Sequence, residues 1–258
     1  MEVMTLRNCL EIQFVTTYLH FIDYWLEKSD KVYLRSRCRD GKVSKYYAIK
    51  TADGKRYYRS ITSPEAPMLE KQMLLTKFFL EAKADFLNNP KWKTAVRASA
   101  GNISELPWTP PKMPLCFDKL SAERFDKLHP ANEPVTSHGL RHGNTILRSK
   151  AEDMIASIYD ELHLPYVYEP RVQLLNYEAK PDFGVLLPFC GSFYFHEHLG
   201  MGDDDVYMAR SSTKMNEYSK VGVYQGRNLL VTTESSDMPA SYDELRNSIL
   251  SFIVKYTI

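Results

Sequence analysis

Glu152, Asp182 and Glu197 are carboxylates set beside runs of residues that should be building a core. Asp182 follows Pro181 at the head of FGVLL, and Glu197 lies near the end of SFYFHEHL. A buried, unpaired carboxylate is costly, so such a group keeps a cation, a hydrogen-bond network or water close by. If the two runs are adjacent antiparallel strands, the start of one lies beside the end of the next, and Asp182 approaches Glu197. Two carboxylates at one sheet edge suit a shared hard divalent cation, which takes oxygen ligands and usually keeps several waters. Such a cation makes its bound water a better nucleophile and stabilises charge on a phosphoryl group. The apolar Phe193 and Phe195 share the strand face of Glu197, which favours a functional carboxylate over a solvated edge residue. Glu152 stands near the start of a helix, a position that the helix dipole alone would favour.

The HEH triplet offers a competing chemistry, a His-x-His zinc pair. His196 and His198 alternate onto the face opposite Glu197, so the three would not meet at one ion from a regular strand. The acidic run Asp203 to Asp205 reads as the start of the next helix.

These residues need elements to position them. From residue 148 onward a definite order emerges. RSKAEDMIASIYDELHL has the apolar period of a helix, and YVYEPRVQLL, PDFGVLLP and SFYFHEHL read as three strands. DDVYMARSSTKMNEYSKVG reads as a helix ending at Gly222, NLLVTT as a fourth strand, and SYDELRNSILSFIV as a last helix opened by Ser241 and Glu244 in capping-box spacing. The order is αβββαβα. Upstream, Leu6, Leu10, Phe14, Tyr18, Phe21 and Trp25 form one stripe of a helix over 4–28. Asp40-Gly41 and Asp53-Gly54 then punctuate a three-stranded meander, and a second helix covers 68–88. From 91 to 143 six prolines break the pattern, with one short helix expected at 121–128. The expected fold class is α/β, with a 1–90 helix–meander–helix module, a 91–147 Pro-rich connector and a 148–258 core.

Glu152, Pro181-Asp182 and Glu197 on this element order resemble the PD-(D/E)XK nuclease superfamily. The phrases RSKAED, KPDF, HEHLGM and KMNEY look like an uncharacterised branch found in Firmicutes and their phages, whose members carry an RSK-x-E helix, a PDF strand and a WEH-x-GM strand. The resemblance covers 148–254 and reaches more weakly into the N-terminal half. It implies a restriction-endonuclease-like core, a magnesium or manganese ion held by Asp182, Glu197 and Glu152, and phosphodiester hydrolysis, most simply by a DNA endonuclease. The superfamily lysine expected two residues after the second acid is Leu199 here. Some branches carry the positive group on the following helix, where Lys214 fits, with Tyr218 one turn later. In that reading Lys214 orients water or stabilises the phosphorane, and should come within a water-bridged distance of Glu197. His198 would stand at the edge of the site. The displaced lysine also sustains a second expectation, a nucleic-acid-binding protein that kept the fold and lost the chemistry.

The formal charge of the 258 residues, +1, points to no partner class, but the local charge does. Between Lys31 and Arg59 stand ten Lys or Arg against two Asp, an excess of eight, interleaved with five Tyr. Phosphate neutralisation plus aromatic stacking is the recipe for nucleic-acid binding. Arg35, Arg37, Lys42, Lys45, Lys55, Arg56 and, before the core, Arg148 are the candidate contacts, with DNA the expected ligand and RNA open. The plainer reading is a charged edge sheet that resists aggregation. Four scattered cysteines offer neither a disulfide framework nor a zinc motif, and the apolar run 14–26 is interrupted by His20 and Asp23. A cytoplasmic protein without a membrane segment is expected, in a bacterium or a phage-infected host; a homodimer is compatible with all of this.

Overall fold

The structure, a computed structural model, describes residues 6–99, 122–131 and 139–255. The chain is mixed α/β and divides into two compact units, Met1–Thr109 and Pro110–Ile258. Among the described residues no helix is long and apolar enough to cross a membrane.

In the first unit, helix α1 (Leu6–Lys28) leads into strands β1 (Lys31–Arg39), β2 (Lys42–Lys50) and β3 (Arg56–Ser60), an antiparallel sheet in the order β1-β2-β3. Asp40 and Gly41 both take positive φ, 52° and 75°, the conformation that a two-residue hairpin loop requires. Helix α2 (Ala66–Asn88) carries Pro67 in its first turn, where a missing N–H costs nothing, and packs on the sheet through Val32, Tyr47 and Leu69. Aromatic contacts add to this: Phe86 lies edge-on to Phe14 and Tyr18, and Phe79 to Phe21. The pattern expected to fail after residue 90 instead continues. A 3₁₀ turn, Pro90–Trp92, buries Trp92 against Phe86, and helix α3 (Lys93–Ser99) packs on α1. Pro90 starts a turn here rather than ending the structure, because the first turn of a helix needs no N–H from it.

The first described element of the second unit is a single helical turn, α4 (Ala122–Phe125), shorter than the expected 121–128. A hairpin of β4 (Leu140–His142) and β5 (Thr145–Leu147) follows, turned through Gly143 at φ 56°. Three-residue strands leave no readable period, so this part of the expected connector escapes the pattern. Helix α5 (Lys150–Glu161) is capped by Ser149, whose Oγ accepts the Glu152 N–H. The stretch expected as one long strand is broken: β6 (Tyr166–Tyr168) joins the main sheet, while β7 (Val172–Gln173) pairs with β8 (Glu178–Ala179). Between them Glu169 takes φ 43° and Pro170 offers no N–H to a ladder. Strands β9 (Phe183–Leu187) and β10 (Ser192–Leu199), helix α6 (Asp205–Lys220), strand β11 (Leu229–Thr233) and helix α7 (Tyr242–Val254) complete the core.

The main sheet runs β11-β10-β9-β6, with β10 parallel to β11 and antiparallel to β9. All eight residues of β10 are buried, as befits an inner strand covered on both faces. Phe193 and Phe195 pack with Tyr218 of α6. Tyr194 and His196 face the other way, Tyr194 meeting Phe252 of α7 and His196 meeting Tyr159 of α5. The order α-β-β-β-α-β-α, set aside the short β7–β8 ribbon, is the one read from the sequence.

Candidate active site at the end of the central hairpin

Register decides the first contact. Phe183 pairs with His196 across β9 and β10, so one step outward sets Asp182 beside Glu197 on the same face of the sheet. The His198 backbone N–H donates to Asp182 Oδ2 at 2.6 Å. Asp182 has its pKa raised well above the ordinary carboxylate range, first by burial and then by the neighbouring Glu197 charge. Burial also raises Glu197, against the pull of Lys214 and Tyr218. Two adjacent carboxylates are therefore held where ionising both is unfavourable unless positive charge is near.

Helix α6 supplies that charge. Lys214 Nζ stands 2.6 Å from Glu197 Oε1 and donates to the Lys180 carbonyl at 3.0 Å. Tyr218 donates its hydroxyl to the same Glu197 oxygen at 2.6 Å, and the ammonium lies 5.8 Å from the centre of its ring. Burial and the Glu197 charge keep the Tyr218 phenol protonated. The Lys214 side chain is 30% exposed while that of Glu197 is 4%, so the pair has one solvent-facing member. Tyr207 belongs to this stripe too. It precedes Lys214 by two helical turns, and its phenol pKa is raised by burial first and also by the charges of Asp182 and Glu197. Helical spacing alone points from Lys214 back to Tyr207, but an uncharged tyrosine in a helix carries no mark of its own.

Glu152 is held differently. Its Oε2 accepts the Arg148 N–H at 2.8 Å and the Tyr168 hydroxyl at 2.6 Å, which ties the start of α5 to β6. It is close enough to add to the raised pKa of Asp182, but these two bonds already explain a glutamate at this position. Arg148, expected to face phosphate, forms a two-pronged ion pair with Glu169 at 2.8 and 3.2 Å. Glu169 in turn donates its N–H to the Asp182 carbonyl at 2.8 Å, so Arg148 and Glu169 brace the backbone that carries Asp182.

Behind the carboxylates the two histidines join a buried polar chain. Tyr194 donates to the Tyr159 hydroxyl at 3.3 Å, and Tyr159 lies 2.6 Å from His196 Nδ1. His196 Nε2 and His198 Nδ1 then sit 2.8 and 2.9 Å from the single hydroxyl of Thr232. His198 Nε2 is buried without hydrogen-bond geometry to any partner, 3.3 Å from Glu234 Oε1. Desolvation lowers the His196 pKa to about 3, so this imidazole is neutral. With both His196 nitrogens committed to hydroxyls, the His-x-His zinc pair has no free donor on that ring. Thr232 was not singled out from sequence, since a threonine in a strand has no mark that separates it from ordinary β propensity.

In the first unit, directly opposed residues share a face. Pairing of Arg35 with Tyr46, Arg37 with Ser44 and Tyr33 with Ala48, and of Ala48 with Tyr58 and Lys50 with Arg56, assembles one face from the strand positions. Lys31, Arg35, Arg37 and Arg39 of β1, Lys42 and Lys50 of β2 and Arg56 of β3 all belong to it, and no acidic residue does. Val32, Tyr47 and Ile49 occupy the opposite face, toward α2. Lys45 pairs with Ser36 on that second face, and Lys55 lies in the following turn, 2.8 Å from Asp53, so these two do not join the basic face.

No protein-family model matches the chain, and no curated protein or solved structure does either.

Proposed function

We propose that the Pro110–Ile258 unit is a metal-dependent phosphodiesterase of the PD-(D/E)XK type, acting on DNA as an endonuclease. The observation that carries this reading is the 2.6 Å contact of Lys214 with Glu197, next to Asp182 at the end of the β9–β10 hairpin. A cation from the helix after the third strand is what the resemblance requires once Leu199 occupies the usual lysine position.

The donor set fits a magnesium or manganese ion. Asp182 and Glu197 offer hard carboxylate oxygens, and both have raised pKa values from burial that a divalent charge would relieve. Among the described residues no group of three or more His, Cys, Asp and Glu is arranged to hold a metal. Magnesium is commonly bound by one or two carboxylates completed by water and substrate phosphate. Asp182 and Glu197 would hold the ion, which when bound supplies charge neutralisation and a more acidic water.

The chain's own groups have separable tasks. The His198 N–H fixes the orientation of Asp182. Tyr218 fixes Glu197, and Lys214, anchored by the Lys180 carbonyl, presents an ammonium toward developing negative charge. Glu152 acts through position, by holding the start of α5 against β6. The basic face of the β1–β2–β3 sheet binds nucleic acid by neutralising phosphate.

A second reading has its own observation. Lys214 and Tyr218 both bond the same Glu197 oxygen and Glu152 is occupied by Tyr168 and Arg148, a closed arrangement that also suits a nucleic-acid-binding protein without turnover. Incubation with supercoiled plasmid separates the two. Nicking that needs magnesium or manganese and disappears in Asp182→Asn supports the nuclease. Retained binding with intact plasmid under every metal supports the second reading.

A further inference from the structure

The basic sheet face carries more aromatic surface than phosphate neutralisation requires. Tyr33, Tyr46 and Tyr58 all belong to it by register. Tyr46 and Tyr58 meet edge-to-face, with centroids 5.6 Å apart and planes at 72°, which leaves ring surface uncovered, and Tyr58 is 61% exposed. The three rings, with Arg35, Lys50 and Arg56, line a concavity of about 380 Å³.

We propose that this face binds single-stranded nucleic acid, stacking bases on the tyrosines while the surrounding cations hold the phosphates. The inference rests on the nucleic-acid reading of the meander and narrows it to one form of the ligand. In a duplex the bases stack on each other and only their edges reach the grooves, so exposed tyrosine faces would gain nothing. The major groove, about 12 Å wide, admits a helix or a two-stranded ribbon. Three strands spaced about 4.8 Å apart, backed by α2, are too broad an element for it. An unpaired strand offers a ring face with every base and a phosphate between bases, the alternation that interleaved Tyr and Arg or Lys match. Each stacked base strengthens binding by roughly fivefold to a hundredfold.

The test uses the full chain in EDTA, so that binding is read without cleavage. Fluorescence anisotropy compares labelled oligothymidylate and oligouridylate with a hairpin duplex of similar charge. At least one single strand should bind about tenfold or more tighter than the duplex. Tyr46→Ala with Tyr58→Ala should weaken that binding by about 25-fold or more and leave duplex binding unchanged. The matching Phe pair should retain affinity, because the ring and not the hydroxyl stacks. Thermal melts of both variants check that the exposed substitutions leave the fold intact. Equal or tighter binding of the duplex, or an Ala pair without effect, overturns the proposal. If the wild-type chain binds none of the probes, the nucleic-acid reading of this face falls as well. Metal-dependent plasmid nicking is a separate readout, so either failure is recognised independently of the hydrolase reading.

Discussion

Lys214 Nζ and Glu197 Oε1 are 2.6 Å apart, although the lysine belongs to helix α6 and the glutamate to the inner strand β10. The expected water-bridged approach is in fact a direct contact. In Lys214→Ala the ammonium is lost from beside the carboxylates, and cleavage should fall by about 10²-fold or more while nucleic-acid affinity stays within about twofold, the pattern of an interaction made in the transition state. Single-turnover cleavage and binding titrations measured together check this. A parallel loss of affinity would make Lys214 a ground-state phosphate contact instead.

Asp182→Asn should abolish metal-dependent cleavage yet raise the melting temperature of the metal-free protein. The amide nearly preserves volume and still accepts the His198 N–H, while the charge opposing Glu197 disappears. Titration calorimetry with manganese should show weakened binding. Undiminished cleavage would remove Asp182 from the site.

Glu152→Gln should cost less than a tenth of the activity lost in Asp182→Asn, because the amide oxygen can still accept from Arg148 and Tyr168. Equal losses in the two variants would give Glu152 a direct part in metal binding. The comparison is read from initial nicking rates at saturating magnesium.

His142 sets a pH response. Burial opposes its charge, but hydrogen bonds to Asp160 at 2.8 Å and Asp153 at 2.9 Å outweigh that and raise its pKa. A raised folded-state pKa gives stability that is complete below the unfolded value, about 6.5, and lost as pH rises through the folded one. The melting temperature should therefore drop by about 2 °C on passing upward through that range, a modest amount because both aspartates are partly exposed. His142→Gln should flatten this part of the profile.

Register makes a finer prediction for the meander. Arg35→Gln, Arg37→Gln and Arg56→Gln together should reduce the salt slope of nucleic-acid binding by about 2, at roughly 0.7 to 0.9 per phosphate contact. Lys45→Gln, on the opposite face, should leave the slope unchanged. A comparable effect of Lys45 would place the nucleic acid elsewhere.

The sequence made the core order legible because elements carried their own signals: the apolar period of α5, the acidic start of α6, and Ser241 with Glu244 before α7. The approach of Asp182 to Glu197 followed from hairpin geometry alone. What escaped was short or relational. The strands of the β4–β5 hairpin are too brief for a period, and α3 is held by packing that a proline-rich context conceals. The separation of Lys45 from Arg37 depends on register, which composition does not contain. The occupation of Arg148 by Glu169 depends on a backbone turn at φ 43°, an unusual value for a glutamate.

The tyrosine–histidine–threonine chain behind the carboxylates has a direction. Tyr194 donates to the Tyr159 hydroxyl, and in the arrangement that keeps one direction throughout Tyr159 donates its own hydrogen to His196 Nδ1. His196 is neutral, with one proton left to place, and it therefore lies on Nε2 and points at Thr232. Thr232 has a single hydroxyl hydrogen, which in this arrangement it donates to His198 Nδ1. The remaining His198 proton is thereby assigned to Nε2, facing Glu234. In that arrangement the tautomer at the Tyr159 end matches the one at the far end, across the back of β10. The row behaves as a line of dominoes that stands only when all its members lean the same way, and it aligns the strand that presents Glu197 to the opposite face.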